Sequence, residues 1–179
     1  GNGGQAFPPL PDEDTGRQMY HVTRSVLESH GYHRYEISNY SRPGCQCRHN
    51  LGYWTGVDYL GLGLGAASCV SGFRFKKEEN LRAYMEKASQ ADFPSCLYKE
   101  IHKLDQRDRI EEFMFLGLRL TEGVSGAEFL QQFGQNMWNV YGPVIEDMEQ
   151  KGLLQVEHPR VFLTEKGMDL SNYVMRHFL

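Results

Sequence analysis

From residue 105 onward the chain is punctuated so regularly that few folds remain open to it. Residues 105–120 carry Ile110, Phe113, Met114, Leu116 and Leu118 on one broad apolar face, the spacing of an amphipathic helix. Ser125-Gly126-Ala127-Glu128 matches a capping box, so Ser125 should start a second helix that ends near Gly134. A third helix is expected from Trp138 to Lys151, with Gly152 as its stop. Pro143 lies near its start, where proline is tolerated or marks a break. Two short strands, 153–156 and 161–163, flank Glu157-His158-Pro159-Arg160, and a last helix is expected over 165–178. Three helices, a β-wing and a closing helix describe a mostly α, winged-helix-like domain over 105–179.

The first half reads differently. Leu10-Pro11-Asp12-Glu13-Asp14-Thr15 opens a helix whose acidic first turn suits the dipole. Met19, Val22, Val26 and Leu27 recur at helical spacing, and Gly31 stops the run. Residues 32–38, with Tyr32, Tyr35 and Ile37, are expected as a strand, followed by a Pro43-Gly44 turn. Residues 57–64 read as a second strand running into a glycine-rich turn, and 77–88 as a helix. This helix, strand, loop, strand, helix alternation suits the end of an α/β barrel with a parallel sheet. Residues 91–103, with Pro94 and mixed polarity, are expected to connect the halves.

A winged helix raises the question of DNA. Residues 105–179 hold 7 Lys and Arg against 12 Asp and Glu, a balance of −5. The recognition helix would carry Glu146, Asp147 and Glu149 with one base, Lys151. Affinity for duplex comes largely from neutralising phosphates, so no nucleic acid is expected as a partner. The whole chain, 179 residues with net charge −4, shows no basic excess and no apolar run of the ~20 residues that span a membrane. The start, Gly1-Asn2-Gly3-Gly4, lacks the basic and apolar segments of a signal peptide and suits the edge of a cut. Cys45, Cys47, Cys69 and Cys96 are too sparse for a disulfide framework and are expected as reduced thiols of a cytoplasmic protein. The pair Cys45-x-Cys47 has one residue too few between its thiols for a zinc hook and lacks a second pair.

Chemistry concentrates in Arg48-His49-Asn50-Leu51-Gly52-Tyr53-Trp54. His49 supplies a nitrogen for an iron, Asn50 a hydrogen-bonding group to orient it, and Tyr53 and Trp54 two flat walls, which is what a porphyrin needs. Cys47 would then lie close to that iron. The remaining histidines, His21, His30, His33, His102, His158 and His177, read as surface or capping residues. Met114 and Met137 read as core. Glu36 and Asn39, placed on one strand, leave two readings open: polar groups lining a cavity, or an internal ion pair to Arg34 or Arg48, the second being favoured. Gly61-Leu62-Gly63-Leu64-Gly65-Ala66-Ala67 either brings backbone close to a ligand or makes a tight turn.

Several stretches taken together carry a resemblance. They are Gly31-Tyr32-His33-Arg34-Tyr35-Glu36-Ile37-Ser38-Asn39-Tyr40-Ser41-Arg42-Pro43-Gly44, the HN-x-x-YW pattern of His49 to Trp54, and Asp58-Tyr59-Leu60-Gly61-Leu62-Gly63-Leu64-Gly65-Ala66-Ala67-Ser68. To these are added Glu112-Phe113-Met114-Phe115-Leu116-Gly117-Leu118-Arg119 and the tail Leu163-Thr164-Glu165-Lys166-Gly167-Met168-Asp169-Leu170-Ser171-Asn172. Over nearly the whole chain they resemble the C-terminal half of the oxygen-independent coproporphyrinogen III oxidase family of radical S-adenosylmethionine (SAM) proteins, and within it the HemW haem chaperone branch.

The resemblance implies the C-terminal portion of a radical-SAM partial (β/α) barrel over 1–95, followed by a winged-helix-like HemN C-terminal domain over 105–179. It implies haem held at His49, Asn50, Tyr53 and Trp54 with His49 on the iron, and delivery of that haem to acceptor proteins. The alternative within the family is the oxidase itself, which decarboxylates propionates to vinyls with a 5′-deoxyadenosyl radical. SAM and a [4Fe–4S] cluster are implied for the full-length parent, with SAM contacts near Ser41 and Ala67 through backbone and packing. The family's C-x-x-x-C-x-x-C cluster loop does not occur in these 179 residues. The chain is therefore expected to be a fragment that does not cleave SAM alone. A cut barrel leaves a sheet edge open, so self-association is expected.

Overall fold

The computed structural model describes residues 10–90, 92 and 94–179. The Gly1-Asn2-Gly3-Gly4 start lies outside them, as do Ala91 and Phe93 of the expected connector. The chain forms two compact units, Gly1–Gln46 and Cys47–Leu179.

In the first unit, α1 (Glu13–Ser29) starts where expected, with the Asp12 carboxylate accepting from the Thr15 amide at 2.8 Å. Gly31 ends the turn beyond it at φ +79°. Its apolar row does not build a core within the unit: Met19, Val22 and Val26 are all more than half exposed. The expected strand over 32–38 is shorter. β1 (His33–Glu36) turns at once into β2 (Asn39–Ser41), and the two pair antiparallel. The Glu36 side chain makes the turn, because its Oε1 accepts from the Ser38 amide at 3.1 Å and from the Asn39 side-chain amide. Asn39 therefore faces Glu36 across the hairpin rather than following it on one strand. Glu36 is fully buried, and a buried carboxylate has to be hydrogen-bonded in this way. Tyr20 ties α1 to the hairpin: Arg34 Nη1 donates to its hydroxyl, which donates to the Ile37 carbonyl. At Pro43-Gly44 the Cys45 amide donates to the Arg42 carbonyl with Gly44 at φ +76°, a type II turn.

The second unit begins with α2 (Arg48–Trp54), a helix where the sequence suggested loop. A sheet in the order β3 (Ala67–Val70), β4 (Phe73–Lys77), β5 (Tyr98–Lys103) follows, with α3 (Leu81–Ala88) between its last two strands. Four expectations are corrected here. Residues 57–64 are not a strand; Tyr59 alone bridges to Cys69. The glycines after it bend the chain back, and Gly61 lies so close to β3 that a Cβ there would sit 2.2 Å from the Ala67 carbonyl oxygen. The expected connector holds a full strand, β5. Among the described residues every strand pairing is antiparallel, so the parallel sheet is absent. The helix expected from residue 77 starts at Leu81, because Lys77 still belongs to β4 and Asn80 provides the cap.

The C-terminal elements follow the expected order closely. α4 (Gln106–Gly117) is opened by a capping box between Asp105 and Asp108. β6 (Val124–Ser125) leads into α5 (Gly126–Phe133), where Ser125 Oγ accepts from the Glu128 amide and Gly134 ends the helix at φ +68°. α6 (Met137–Gln150) runs unbroken through Pro143. The wing, β7 (Leu154–Glu157) and β8 (Arg160–Leu163), is joined by β6 into a sheet of order β6-β8-β7. The closing helix is split: α7 (Glu165–Asp169) and α8 (Ser171–Met175) meet at Leu170, whose backbone leaves the helical region at φ −112°, ψ 27°.

Their shared core contains Met114, Phe129, Met137, Ile145, Met148 and Phe178, each at most 1% exposed. Burial of each such side chain contributes about 1.5–3 kcal/mol before the entropy of ordering it is subtracted. Phe113, Phe129 and Phe133 meet edge to face with centroids 4.9–5.6 Å apart, locking α4 to α5. The molecule is thus a mixed α/β structure ending in a mostly α, winged-helix-like domain. Among the described residues no helix is long and apolar enough to cross a membrane.

Candidate functional site

The HN-x-x-YW spacing acquires its meaning on α2. Positions 49 and 53, and 50 and 54, are four apart, so one turn of helix stacks His49 over Tyr53 and Asn50 over Trp54. The His49 and Tyr53 rings meet edge to face at 4.8 Å, and Tyr53 meets Tyr59 in the same way at 4.6 Å. The result is a ladder of three rings from an exposed His49 to a half-buried Tyr59. Tyr59 is a firm end to it, because its amide and carbonyl both pair with Cys69, at 2.8 and 2.9 Å. Burial pushes the Tyr59 hydroxyl up from its ordinary pKa, keeping it neutral.

Trp54 is held from the other side. The Arg119 guanidinium carbon lies 4.3 Å from the centre of its ring, a close cation–π contact. The Trp54 ring N–H is buried and has no acceptor among the described residues. α2 is seven residues long, has no side-chain cap at Cys47 and buries no residue fully. So short a helix is not stable by itself, and these ring contacts keep it in place.

Behind α2 lies a cavity of about 740 Å³. Tyr53, Trp54, Tyr59, Phe113 and Leu116 give it apolar and aromatic walls. An ion pair, Arg74 to Glu112 at 2.7 Å, joins β4 to α4 at its edge. His49, at the outer end of the ladder, is not among its lining residues. The two halves of the expected haem set are therefore separated: His49 opens to solvent, whereas Tyr53 and Trp54 wall the cavity. Asn50 is half-buried.

Ser41 is buried in β2 opposite His33, and Ala67 is exposed in β3 opposite Lys76. They belong to different units. The glycine stretch before Ala67 packs on the chain itself: the Gly61 amide donates to the buried Ser68 hydroxyl, and the Gly65 amide to the Glu78 carbonyl. Cys45 and Cys47 are exposed, while burial pushes the Cys69 and Cys96 thiols up. Among the described residues no three His, Cys, Asp or Glu side chains gather as a metal site. A [4Fe–4S] cluster requires a set of cysteine thiolates, so the four thiols here do not fit one.

The other histidines have structural neighbours. His30 caps α1, His102 pairs with Asp108 at 3.0 Å, His158 packs on Trp138 and His177 hydrogen-bonds the Tyr173 carbonyl. Met114 and Met137 are fully buried, as expected. Sequence reasoning missed Arg119 and Tyr59 as neighbours of α2, and Arg109 in the lining of the cavity behind it. It also missed Glu78, a buried carboxylate joining β4, α3 and β5 by accepting from Lys99 at 2.7 Å and Lys87 at 2.9 Å. Those two ammonium groups hold its carboxyl down at about 2.

Comparison with known proteins sets this geometry in a family. Residues 104–170 match the HemN C-terminal domain. The heme chaperone HemW of Bacillus subtilis (strain 168) is 36% identical over 170 residues, which cover 95% of this chain and 44% of that protein. HemW of Escherichia coli (strain K12) is 29% identical over 98% of this chain and 46% of its own length. The mitochondrial radical S-adenosyl methionine domain-containing protein 1 of Mus musculus is 31% identical over 92% of this chain and 39% of its own. Among solved structures, coproporphyrinogen III oxidase (HemN) from Escherichia coli, a radical SAM enzyme, matches with a TM-score of 0.75. At 17% identity over 94% of this chain and 42% of that one, the likeness is one of fold. The chain thus spans less than half the length of the relatives it matches. Domain, relatives and fold agree, and the chain belongs to the HemW-type, oxygen-independent coproporphyrinogen III oxidase-like radical-SAM family, matching the C-terminal part of its members.

Proposed function

We propose that the chain is part of a haem chaperone: it binds haem with His49 on the iron, and the whole protein passes that haem to acceptor proteins. The observation that carries this reading is the ladder behind α2, in which an exposed imidazole is braced edge-on by Tyr53, and Tyr53 in turn by Tyr59. A braced imidazole offers a nitrogen in a fixed plane, and an exposed one releases its cargo to a partner without the fold opening. The relatives bearing the name heme chaperone HemW support it. Asn50 orients the imidazole, and Tyr53 and Trp54 supply the flat apolar surface.

The division into a barrel portion, 1–95, and a winged-helix-like portion, 105–179, belongs to the same proposal, and the domain match over 104–170 supports its second half. So do a cytoplasmic setting, which suits four unpaired thiols, and self-association through open sheet edges. SAM and a [4Fe–4S] cluster are proposed for the whole protein only. Ser41 and Ala67 would touch SAM through backbone and packing, and no step is assigned to the cluster, which the cysteines here do not fit.

The test is a haem titration of the wild type and His49→Ala, followed by absorption. A saturable Soret shift in the wild type, abolished in His49→Ala, is expected. A shift that survives the substitution removes His49 as the ligand.

A further inference from the structure

One aromatic of α2 is engaged in a way that iron ligation by His49 does not explain. Trp54 is the last residue of the helix, and the Arg119 guanidinium carbon lies 4.3 Å from the centre of its ring. A cation at that distance covers one face of the indole and closes it to any other flat partner. The ring N–H is buried without an acceptor among the described residues, so no hydrogen bond there orients the ring. The cation over its face does so instead.

Arg119 is itself firmly set. It follows the fully buried Leu118, directly beyond α4. Its amide donates to the Leu116 carbonyl at 3.1 Å, and the next amide, of Leu120, to the Gly117 carbonyl at 3.0 Å. The clamp is therefore carried by well-held backbone, whereas α2 has seven residues and no side-chain cap.

Two fastenings then hold α2. Tyr53 meets Tyr59, whose backbone is pinned to Cys69, and Trp54 meets Arg119. Neighbouring residues point about 100° apart around a helix axis. One fastening would leave the helix free to roll about that contact, and two at this angle set its rotation. His49 lies one turn before Tyr53, edge to face with it at 4.8 Å, and turns with the helix.

We propose that Arg119 is a positioning residue: by clamping Trp54 it sets the rotation of α2, and with it the plane of the His49 imidazole. It acts through Trp54 and the helix. The placement of His49 needs no ligand, and only the consequence for haem affinity rests on the haem reading above.

The experiment has two readouts. The first needs no ligand: nuclear Overhauser contacts between the ring protons of Tyr53 and Tyr59. The second is haem affinity, followed by absorption. Both are taken on the wild type, His49→Ala, Arg119→Gln, Arg119→Lys, Trp54→Leu and Arg119→Gln/Trp54→Leu. Ile145→Val is the control, because it loosens the buried core at α6 instead. Far-ultraviolet circular dichroism establishes that each variant folds. Arg119→Gln should lose the Tyr53–Tyr59 contact and weaken haem by up to about thirtyfold, the weight of one cation–π contact. Arg119→Lys keeps the charge and should retain part of both. Ile145→Val should change neither. With Trp54→Leu in place, Arg119→Gln should add nothing.

A Tyr53–Tyr59 contact that survives Arg119→Gln overturns the proposal. So does an Arg119→Gln effect that persists in full beside Trp54→Leu, or one that Ile145→Val reproduces. Haem affinity that needs His49 yet ignores Arg119→Gln leaves the haem reading standing and removes this one. A ring contact that depends on Arg119, with haem indifferent to His49→Ala, keeps the positioning role and removes the haem reading.

Discussion

Gly117 closes α4 against β6, and an alanine there would place its Cβ 2.4 Å from Val124 Cγ1. Carbon atoms rest about 3.5–4.0 Å apart, so the two elements would have to separate by more than about 1 Å. Neither is free to do so. Met114 and Leu118 beside Gly117 are fully buried, and Val124 is 2% exposed. Gly117→Ala should therefore cost about 1–3 kcal/mol, as overpacking does. Val124→Ala removes two buried methyl groups, worth about 1.6 kcal/mol at ~0.8 each before any cavity term. If the clash is the cause, the second substitution relieves the first. Gly117→Ala/Val124→Ala should then be more stable than the sum of the single effects by about 1 kcal/mol or more. Urea unfolding, followed by tryptophan fluorescence and far-ultraviolet circular dichroism, measures all three variants. Additivity within ~0.5 kcal/mol would refute the reasoning. Gly142→Ala is the control: inside α6, with nothing within 4 Å of the new methyl, it should stabilise by about 0.5–1 kcal/mol.

Three further outcomes are expected. Arg119→Gln removes the cation over Trp54, weakening the packing of α2 by about 0.5–2 kcal/mol. In a Trp138→Phe background its Trp54 emission should move to the red, and an unmoved spectrum would argue against the contact. Glu78 is held at about 2, below its ordinary 4.5, so its ion pairs add stability that is complete above about pH 4.5 and is lost as pH falls through 2. Glu78→Gln should flatten the melting temperature between those limits, and parallel curves for the two proteins would contradict this. Cys45 and Cys47 should react with a thiol reagent at neutral pH well before Cys69 and Cys96, whose thiols burial keeps protonated. Four equal rates would count against the burial of the latter pair.

The C-terminal half was legible because its signals are local. Ser125, Gly134 and Gly152 act on the turn of backbone next to them, and each acts where its chemistry places it. β6 escaped notice because two residues carry no period, and it exists only through its pairing with β8. The first half was harder to read. The run 57–64 has strand-like residues, yet its glycines leave only Tyr59 in a bridge, and the true strand begins at Ala67. β5 hides in a polar run, with Glu100 at φ +52° interrupting its register. At the site, the motif announced His49, Asn50, Tyr53 and Trp54, but not that α2 parts them between solvent and cavity. Arg119 acts across the fold, at a separation that no window of sequence spans, and Tyr59, only six residues beyond Tyr53, meets it because its backbone is pinned to Cys69.

The wing is stitched to its domain at both ends, and this governs how it opens. At its tip the Gly126 amide donates to the Pro159 carbonyl at 2.7 Å. At its base the Thr164 amide donates to the Leu153 carbonyl, and the Thr164 hydroxyl to the Gly152 carbonyl. A hairpin fastened only at its base frays by itself and exchanges its amide protons quickly. This one cannot release β8 without also uncapping α5, so amide exchange along 124–126 and 160–163 should share a single opening free energy with the helices beneath. The domain then behaves as one cooperative block, and motion that admits a ligand would fall to α2, a seven-residue helix without a side-chain cap or a fully buried residue.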